Sequence, residues 1–500
     1  MQKLFPNFPK FFQRRLKDVG SQWGAAPAKI PLDELTAAFL RFYRRRLKKG
    51  AVSGVYAKVA RVGRKRYARR KTREIAKRLR RGARVPLPRA LLLSRYRPSP
   101  LLTGLYPDRE ANWRPVTKRR GKLGYQDLSL SNFSLIDYPA ETLKAIKKLA
   151  AIECEAATAH LHFDDDHCID IAPYLVLAEI WDDMAHVFHG GRMSMPVQKV
   201  VEAVGLRKPL GMRLELASDL SDVWAFPLRR RRPPRTSKSP DRDLAPQPRE
   251  KVSDDFCDAI DEWLLEAAEL GLTTSGKSQF SNIIGELLDN AERHSDPVSK
   301  DGSWSVAAFM ARRREGGEEV FRCHMAFLSV GASIAESLDT AEKRTQDDIV
   351  AYATRHKRTG QSAATLATLI ALQDGVTRDA DASAHSRGGV GFQDVFEFVS
   401  GLGATTEPNR EPRITIVSGS SCIQLRPPYL LGRRGDAFRP RVLWCNANNS
   451  PDEPPDRQFV FDLEDRFAGT VIGVSFVLDV EFLKAAVDVG DQAERTDGQR

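Results

Sequence analysis

Residues 279–295 read QFSNIIGELLDNAERHS, and the interpretation of the C-terminal half of the chain depends on this stretch. From Phe280, apolar side chains recur at offsets 0, 3, 4, 7, 8 and 11, which predicts a helix with one continuous buried face. Asn282, Glu286 and Asn290 recur every four residues and form a polar row on the same helix. A carboxylate one turn before a carboxamide suits a base and a metal ligand in one pocket. A simple polar edge on an amphipathic helix gives the same pattern.

Strand signals follow this helix. Residues 304–311 and 320–328 have apolar alternation, and Gly316-Gly317 between them favours the turn of a hairpin. Further strands are predicted at 413–418, 421–425 and 467–480, and an amphipathic helix is predicted at 253–270.

A second informative segment is HSRGGVGFQDVFEFVSGLG at 385–403. Gly388, Gly389 and Gly391 come immediately before a helix with apolar side chains at helical spacing. Backbone N–H groups and the positive end of the helix dipole at such a helix start suit a polyphosphate.

The order of these elements resembles the GHKL ATPases, whose ATP-binding fold is shared by gyrase-type topoisomerases and histidine kinases. The resemblance covers about residues 253–482 and implies a Bergerat-type α/β sandwich that binds ATP with Mg²⁺. ELLDNA at 286–291 is similar to the family's N box. This implies that Glu286 is the general base and that Asn290 is a magnesium ligand.

Two other motifs extend the resemblance. RGGVGF at 387–392 is similar to the second glycine box, and Gly469-Thr470 is similar to a threonine motif that lies near the adenine. The residues that these motifs imply as nucleotide contacts are Arg387, Gly388, Gly389, Gly391 and Thr470. Residues 335–387 occupy the place of the family's ATP lid. This segment has helical patterns at 347–357 and 361–373, and Lys343 and Arg344 are candidate phosphate contacts.

The first glycine box departs from the family pattern of Asp-x-Gly-x-Gly. Aligned on Gly331, the chain has Ser329 where the adenine-reading Asp is expected and Ser333 in place of the second glycine. A serine can accept a hydrogen bond but carries no charge, and replacing the carboxylate costs on the order of 1–3 kcal/mol. A degenerate domain that does not bind nucleotide is therefore an open alternative.

The charge distribution separates the chain into unlike parts. Residues 1–125 contain 35 Lys+Arg and 6 Asp+Glu, whereas the other 375 residues contain 43 and 59. Basic amphipathic helices are predicted at 35–49 and 54–82, with Tyr43, Tyr56, Tyr67 and Trp113 between or beside the basic runs. Such a surface attracts nucleic-acid phosphates, or an acidic protein or lipid surface. A solvated Arg-rich extension is the alternative.

Residues 126–228 have the composition of an ordinary α/β domain. Helices are predicted at 142–152, 175–185 and 197–204, and a strand at 157–163. The pattern is similar to the STAS-type domains of anti-sigma-factor antagonists, which implies a protein partner. In the phosphorylatable members a serine follows an acidic residue. Here Asp170 is followed by Ile171, Ala172 and Pro173, so a binding or scaffolding role is expected.

Histidines are concentrated in this central part of the chain. The residues concerned are His160, His162, His167, Cys168, His186 and His189. A metal site requires three or four of them to converge, and no recognised zinc spacing occurs. His160 and His162 share one face of the predicted strand, which is compatible with a metal, whereas a structural or surface role is the alternative.

These observations predict an α/β (α+β) chain of several parts. The expected domains are a basic, largely helical region at 1–125, a STAS-like domain at 126–228, a Pro/Arg-rich linker at 229–251, a GHKL-type domain at 252–485 and a disordered tail at 486–500. Six cysteines without a CxxC pair suit a reducing cytosol, and no apolar run approaches the ~18 residues of a spanning helix. A cytoplasmic location is therefore expected.

Three functions follow as hypotheses. The first is a nucleotide-sensing regulator, bacterial in type, in which ATP and Mg²⁺ change the arrangement of domains and a partner is regulated. The second is a serine or histidine kinase that acts on a separate protein. The third is a degenerate ATPase that serves as a nucleic-acid-binding adaptor. The GHKL resemblance also makes a homodimer an open expectation.

Overall fold

The structure is a computed structural model, and it shows a mixed α/β protein with one parallel and one antiparallel sheet. It describes residues 66, 69–70, 72–74, 76–77, 96, 98–115, 119, 125–185, 187–211, 219–231, 248–296, 302–374, 376, 391–405, 407, 410–433 and 440–484. The helix expected at 35–49 and the tail expected at 486–500 lie outside these residues. Within 54–82, the described positions are helical.

The helices and strands are numbered in chain order. The helices are α1 (Pro100–Leu105), α2 (Arg109–Asn112), α3 (Pro139–Glu155), α4 (Ala172–Met184), α5 (Met195–Ala203), α6 (Arg249–Ala268), α7 (Thr274–Ser295), α8 (Ile334–Leu338), α9 (Lys343–Arg355), α10 (Ala363–Ala371) and α11 (Gly391–Leu402). The strands are β1 (Tyr125–Leu130), β2 (Thr158–Phe163), β3 (Phe188–Met193), β4 (Val223–Arg231), β5 (Ser303–Glu315), β6 (Glu318–Val330), β7 (Arg413–Leu425) and β8 (Val460–Leu478).

The central module, residues 125–211, is built on a parallel three-stranded sheet with the order β1-β2-β3. Burial alternates along β2, because Ala159, Leu161 and Phe163 face the helices while His160 and His162 face outward. Tyr174 of α4 stacks on Phe163, with their ring centroids 5.4 Å apart. The outward face of this sheet is therefore polar and accessible.

The larger sheet is antiparallel and has the order β4-β5-β6-β8-β7. The hairpin expected around Gly316-Gly317 is present, and both glycines have positive φ (62° and 95°). The two strands expected at 413–418 and 421–425 form one strand, β7, with an irregular register around Gly419.

Both faces of the larger sheet are covered. One face packs on α6, α7 and α11 through residues such as Phe327 and Ile472. The other packs on α1, α3 and α4 through residues such as Phe309, Leu328 and Val471. Residues 172–178 at the start of α4 are all buried, as expected for a helix that lies between two sheets.

The central module is joined to the larger sheet by buried hydrogen bonds. The backbone carbonyl of Ile136 accepts from Thr415 Oγ1 at 3.0 Å and from Gln424 Nε2 at 2.9 Å, and both donors belong to β7. A Cβ atom on Gly473 would lie 2.8 Å from Cγ1 of Ile136, so β8 and the central module are in close contact here. The central module and the facing side of the larger sheet therefore share one apolar core.

The expected linker at 229–251 differs from the structure at both ends. Residues 229–231 belong to β4, which pairs with β5, and residues 249–251 belong to α6. The Arg run is accommodated in a strand because acidic residues lie beside it: Arg229 pairs with Asp255 at 3.4 Å and Arg231 with Glu292 at 3.4 Å. Residues 232–247 are outside the described part of the chain.

Candidate functional site

Helix α7 presents the predicted polar row as expected. The Thr273 side chain caps the helix by accepting from the Gly276 backbone N–H at 3.1 Å. The stripe from Phe280 to Leu288 is buried against the sheet, whereas Glu286 is exposed and Asn290 is half-buried. Within the described part of the chain, no hydrogen bond or ion pair is recorded for the side chain of Glu286 or Asn290. Both polar groups are thus available to a ligand on the outer side of α7.

Two acidic residues that the sequence analysis did not single out fix the rotation of this helix. Asp289 is 9% exposed and pairs with Arg249 of α6 and with Arg293 at 2.7 Å. One turn later, Glu292 accepts a hydrogen bond from Trp304 Nε1 at 2.8 Å. These contacts hold α7 so that Glu286 points away from the sheet. In the sequence, the signal for this anchor was the acidic residue Asp289 directly before Asn290.

A row of hydroxyl groups crosses the sheet near the end of α7. Ser329 of β6 is directly opposite Thr470 of β8, and Thr470 is opposite Ser418 of β7. The Thr470 and Ser418 hydroxyls are 2.7 Å apart, and Ser418 Oγ accepts from the Ile334 backbone N–H at 2.8 Å. Their positions in the strands put all three on the face covered by α7 and α11. The structure therefore brings together Ser329 and Thr470, and it adds Ser418, which the sequence analysis did not predict.

Gly331 brings this row close to the C-terminal end of α7. Its φ is 146°, and a Cβ atom there would lie 2.1 Å from the carbonyl oxygen of Ser295. The next residue, Ala332, donates its backbone N–H to the same oxygen at 2.9 Å. Asn290 precedes Ser295 by five residues, a rise of about 7.5 Å along the helix. Asn290 therefore lies about 7.5 Å along α7 from the point where the helix contacts the turn after Ser329.

Ser333 has a structural role in place of the expected second glycine. Its hydroxyl accepts from the Glu336 backbone N–H at 3.2 Å, and the Glu336 carboxylate accepts from the Ser333 backbone N–H at 2.8 Å. This reciprocal capping box begins helix α8. Gly331, rather than Ser333, is the residue on which the close backbone approach depends.

The predicted glycine loop is only partly within the described residues. Arg387, Gly388 and Gly389 lie outside them, and Gly391 is the first residue of α11. Helix α11 packs on the same face of the sheet as α7, where Phe398 stacks on Phe280 with a centroid separation of 4.5 Å.

Arg441 anchors the first turns of α11, and the sequence analysis did not predict it. Its guanidinium pairs with Asp394 at 2.5 Å and Glu397 at 2.6 Å on α11, and with Asp374 at 2.8 Å beyond α10. The side chain is 8% exposed. Arg441 therefore joins the β7–β8 connection to both sides of the segment that contains the glycine loop.

The segment expected to form a lid contains α8, α9 and α10. The helical patterns expected at 347–357 and 361–373 correspond to α9 and α10, with shifted bounds. Lys343 and Arg344 are exposed in the first turn of α9. The other residues of the expected lid, 375 and 377–387, are outside the described part of the chain.

In the central module, Asp170 is buried and tethers the loop after β1 to the start of α4. Its carboxylate accepts from the backbone N–H groups of Leu135 at 2.7 Å, Ile136 at 3.2 Å and Ala172 at 2.8 Å. Burial raises the pKa of Asp170 to about 7. The residue holds the loop whose Ile136 carbonyl contacts β7.

Among the described members of the histidine concentration, no single group forms. His160 and His162 lie beside Asp127 of β1, a residue that the sequence analysis did not predict. Cys168 is buried, which raises the pKa of its thiol, and its Sγ lies 3.4 Å from the Asp170 carbonyl. His186, and the side chain of His189, lie outside the described residues.

The end of the expected basic region is folded into the core. Leu101, Leu102 and Leu105 of α1 pack on the larger sheet. Trp113 is half-buried, its indole N–H donates to Glu153 at 3.0 Å and its ring lies beside Arg119.

Two buried arginines also anchor this end of the expected basic region. Arg109 pairs with Glu153 at 3.3 Å, and both side chains are 1% exposed. Arg119, part of the basic run at 118–122, is buried as well, and burial lowers its pKa to about 10. Arg109 and Arg119 therefore contribute to the fold through buried contacts.

Among the described helices, none combines the length and the apolar character needed to cross a bilayer. Comparison of the chain with known protein families, with characterised proteins and with solved structures gave no match in any of the three.

Proposed function

We propose that the chain is a regulatory protein whose C-terminal module binds ATP with Mg²⁺ in the manner of the GHKL ATPases. The observation that carries the proposal is the placement of the Ser329–Thr470–Ser418 row beside the end of the helix that exposes Glu286 and Asn290. A site with hydroxyls at one end and a carboxylate with a carboxamide at the other suits a purine nucleotide.

The hydroxyl row is the proposed base end of the site. Hydroxyl groups both donate and accept hydrogen bonds, so Ser329 and Thr470 can pair with ring nitrogens and with the exocyclic amine of a purine. Gly331 and Gly469 allow two backbone segments to approach closely here, since a Cβ atom on either would lie 2.1 Å from a carbonyl oxygen. The missing Asp at position 329 makes this end neutral, which favours modest affinity.

Asn290 and Glu286 form the proposed phosphate end. Their oxygen atoms are the hard ligands that Mg²⁺ prefers, and their side chains have no recorded partner in the described part of the chain. These residues therefore fit a hydrated magnesium ion carried by a triphosphate. Bound there, Mg²⁺ would neutralise charge on the phosphate oxygens. Arg387, Gly388, Gly389 and Gly391 are proposed to contact the phosphates.

Glu286 is proposed to act on water. Its exposed carboxylate can orient a water molecule and accept a proton from it while the phosphates are held by α11. Turnover by this arrangement is expected to be slow.

Strand β7 offers a route from this site to the central module, for which we propose a STAS-like role in binding a protein partner. Ser418 lies in the hydroxyl row, and Thr415, three residues earlier, donates to the Ile136 carbonyl. A nucleotide that shifts β7 would act directly on the loop held by Asp170. Regulation of a partner through this contact is the proposed outcome.

The test is magnesium-dependent ATP binding by the full chain, measured by calorimetry. Replacing Asn290 with alanine should weaken binding at least about tenfold, which is about 1.4 kcal/mol. Thr470→Val, which keeps the shape of the side chain and removes the hydroxyl, should weaken binding with or without magnesium. Glu286→Gln should keep binding and lose hydrolysis.

Asn282→Ala is the matched control, because Asn282 is exposed in the same polar row one turn before Glu286. It should bind ATP as the wild type does. If the wild-type chain shows no magnesium-dependent binding, or if Asn290→Ala and Asn282→Ala behave alike, the proposal is wrong.

A further inference from the structure

A second polar cluster lies on the outward face of the three-stranded sheet, on the opposite side of that sheet from the core. Asp127 of β1 is directly opposite His160 of β2, and His162 follows two residues later on the same face. One ligand atom from each residue lies within 4.8 Å of those of the other two. Because all three residues belong to strands, the backbone ladder fixes their separation.

The distances within the cluster are compatible with a metal ion. Asp127 Oδ1 is 3.5 Å from His160 Nδ1, and it is 3.4 Å from His162 Nε2, with which it forms a long hydrogen bond. The ligands of a tetrahedral zinc ion with bonds of about 2.1 Å are about 3.4 Å apart. The oxygen is thus separated from each nitrogen by about the distance between two ligands of a zinc ion, and the three ligand atoms all lie within 4.8 Å of one another.

The three side chains of the cluster are partly accessible to solvent. The side chains of Asp127, His160 and His162 are 52%, 37% and 23% exposed. On the adjoining strand β3, Gly190 has no side chain, and a Cβ atom there would lie 3.4 Å from the His160 ring. The rings of His160 and His162 are nearly perpendicular (84°), so they do not stack on each other.

The chemistry of the three side chains also suits a cation. Arg192 lies opposite His162 on β3 and pairs with Asp164 at 2.9 Å. A set of one carboxylate and two imidazoles suits Zn²⁺ and similar divalent transition metals.

We propose that Asp127, His160 and His162 bind a divalent transition metal ion, with Zn²⁺ as the favoured ion, and leave a fourth position for water or an exogenous ligand. Three protein ligands with one open position form the arrangement of exchangeable or reactive zinc sites, in contrast to closed structural sites. This site is independent of the proposed ATP site, since it lies on a different sheet and uses different ligands.

The test is zinc binding by the full chain after removal of metal with a chelator, measured by competition with a chromogenic zinc indicator and without nucleotide. The wild type should bind one zinc ion at this site. Asp127→Asn and His162→Gln should each lower its affinity ~100-fold or more, because each removes a direct ligand and changes at outer-shell positions already cost about 10–100-fold. Cobalt should give the visible absorption of a four-coordinate ion in the wild type and lose it in Asp127→Asn and His162→Gln.

His167→Gln is the matched control, since His167 belongs to the same module but not to the cluster. It should retain wild-type zinc affinity. Circular dichroism and the thermal midpoint without metal should be unchanged in all the variants, because the altered side chains lie on an accessible surface. Absence of zinc binding by the wild type at micromolar zinc, or equal zinc affinity in the cluster variants and in His167→Gln, would overturn the proposal.

Discussion

Replacing Gly331 with alanine is expected to force apart the end of α7 and the turn after β6. A Cβ atom at this position would lie 2.1 Å from the carbonyl oxygen and 2.9 Å from the carbonyl carbon of Ser295. Both atoms belong to backbone, so a rotamer change cannot relieve the contact. The φ of 146° is also one that L-residues rarely adopt.

The cost of the unfavourable φ and the cost of the close contact can be estimated separately. Unfavourable φ costs an alanine about 1–2 kcal/mol, and overpacking of a well-packed contact costs about 1–3 kcal/mol more. Gly331→Ala should therefore lower the free energy of unfolding by about 2–5 kcal/mol. Gly317→Ala is the control, because Gly317 also has positive φ (95°) but nothing lies within 4 Å of its Cβ position. It should lose only the backbone contribution, about 1–2 kcal/mol.

Denaturant unfolding of the full-length variants measures these losses, and calorimetry with magnesium and ATP measures the consequence for the proposed site. Gly331→Ala should also weaken nucleotide binding, since the hydroxyl row and α7 would move relative to each other. Equal losses of stability in the two variants would refute the reasoning, because crowding against Ser295 would then contribute nothing.

Three more outcomes follow from buried or open positions. Burial lowers the pKa of His324 well below 6.5, so this histidine is protonated at a higher pH in the unfolded chain than in the folded one. The free energy of unfolding should therefore fall as the pH drops below about 6.5. His324→Phe should remove this loss in unfolding curves measured between about pH 7.5 and pH 5. Arg441→Met should lower the free energy of unfolding by about 3–5 kcal/mol, because the Asp374 carboxylate loses its guanidinium partner. Hydrogen exchange should also become faster in α11. Gly401→Ala should raise the free energy of unfolding by about 0.5–1 kcal/mol, since its Cβ meets nothing within 4 Å in a helix.

Helices with a strong apolar stripe were predictable from the chain alone. The spacing from Phe280 to Leu288 in α7 predicted both the buried face and the exposed position of Glu286, and the structure confirms both. A helix carries this information locally, because its period is set by its own backbone. The same reasoning found α3, α4, α5 and α6.

Strands with unusual compositions were not predictable in the same way. The last residues of β4, Arg229 to Arg231, resemble a linker by composition. They form a strand because β5 pairs with them and because Asp255 and Glu292 on two helices compensate their charge. Strand β3 was missed because FHGGRM contains two glycines, which weaken a strand signal.

The residues of the two candidate sites were likewise only partly predictable from the sequence. The roles assigned to Glu286, Asn290, Ser329 and Thr470 followed from a resemblance and remain a proposal. The contribution of Ser418 required the register of β7 against β8. Asp127 could not be linked to the histidines until the pairing of β1 with β2 was known, since the partners are 33 and 35 residues apart in the chain.

Coverage of the larger sheet on both sides determines the smallest piece of this chain that can be purified and assayed by itself. A fragment that begins at residue 252 would lack the edge strand β4 and would expose Phe309, Leu328 and Val471 to water. Such an uncovered apolar surface promotes aggregation, and inactivity of that fragment would reveal nothing about its chemistry. Deletions from the N-terminus should therefore stop before Ser99, whose side chain caps the first of the helices on that surface.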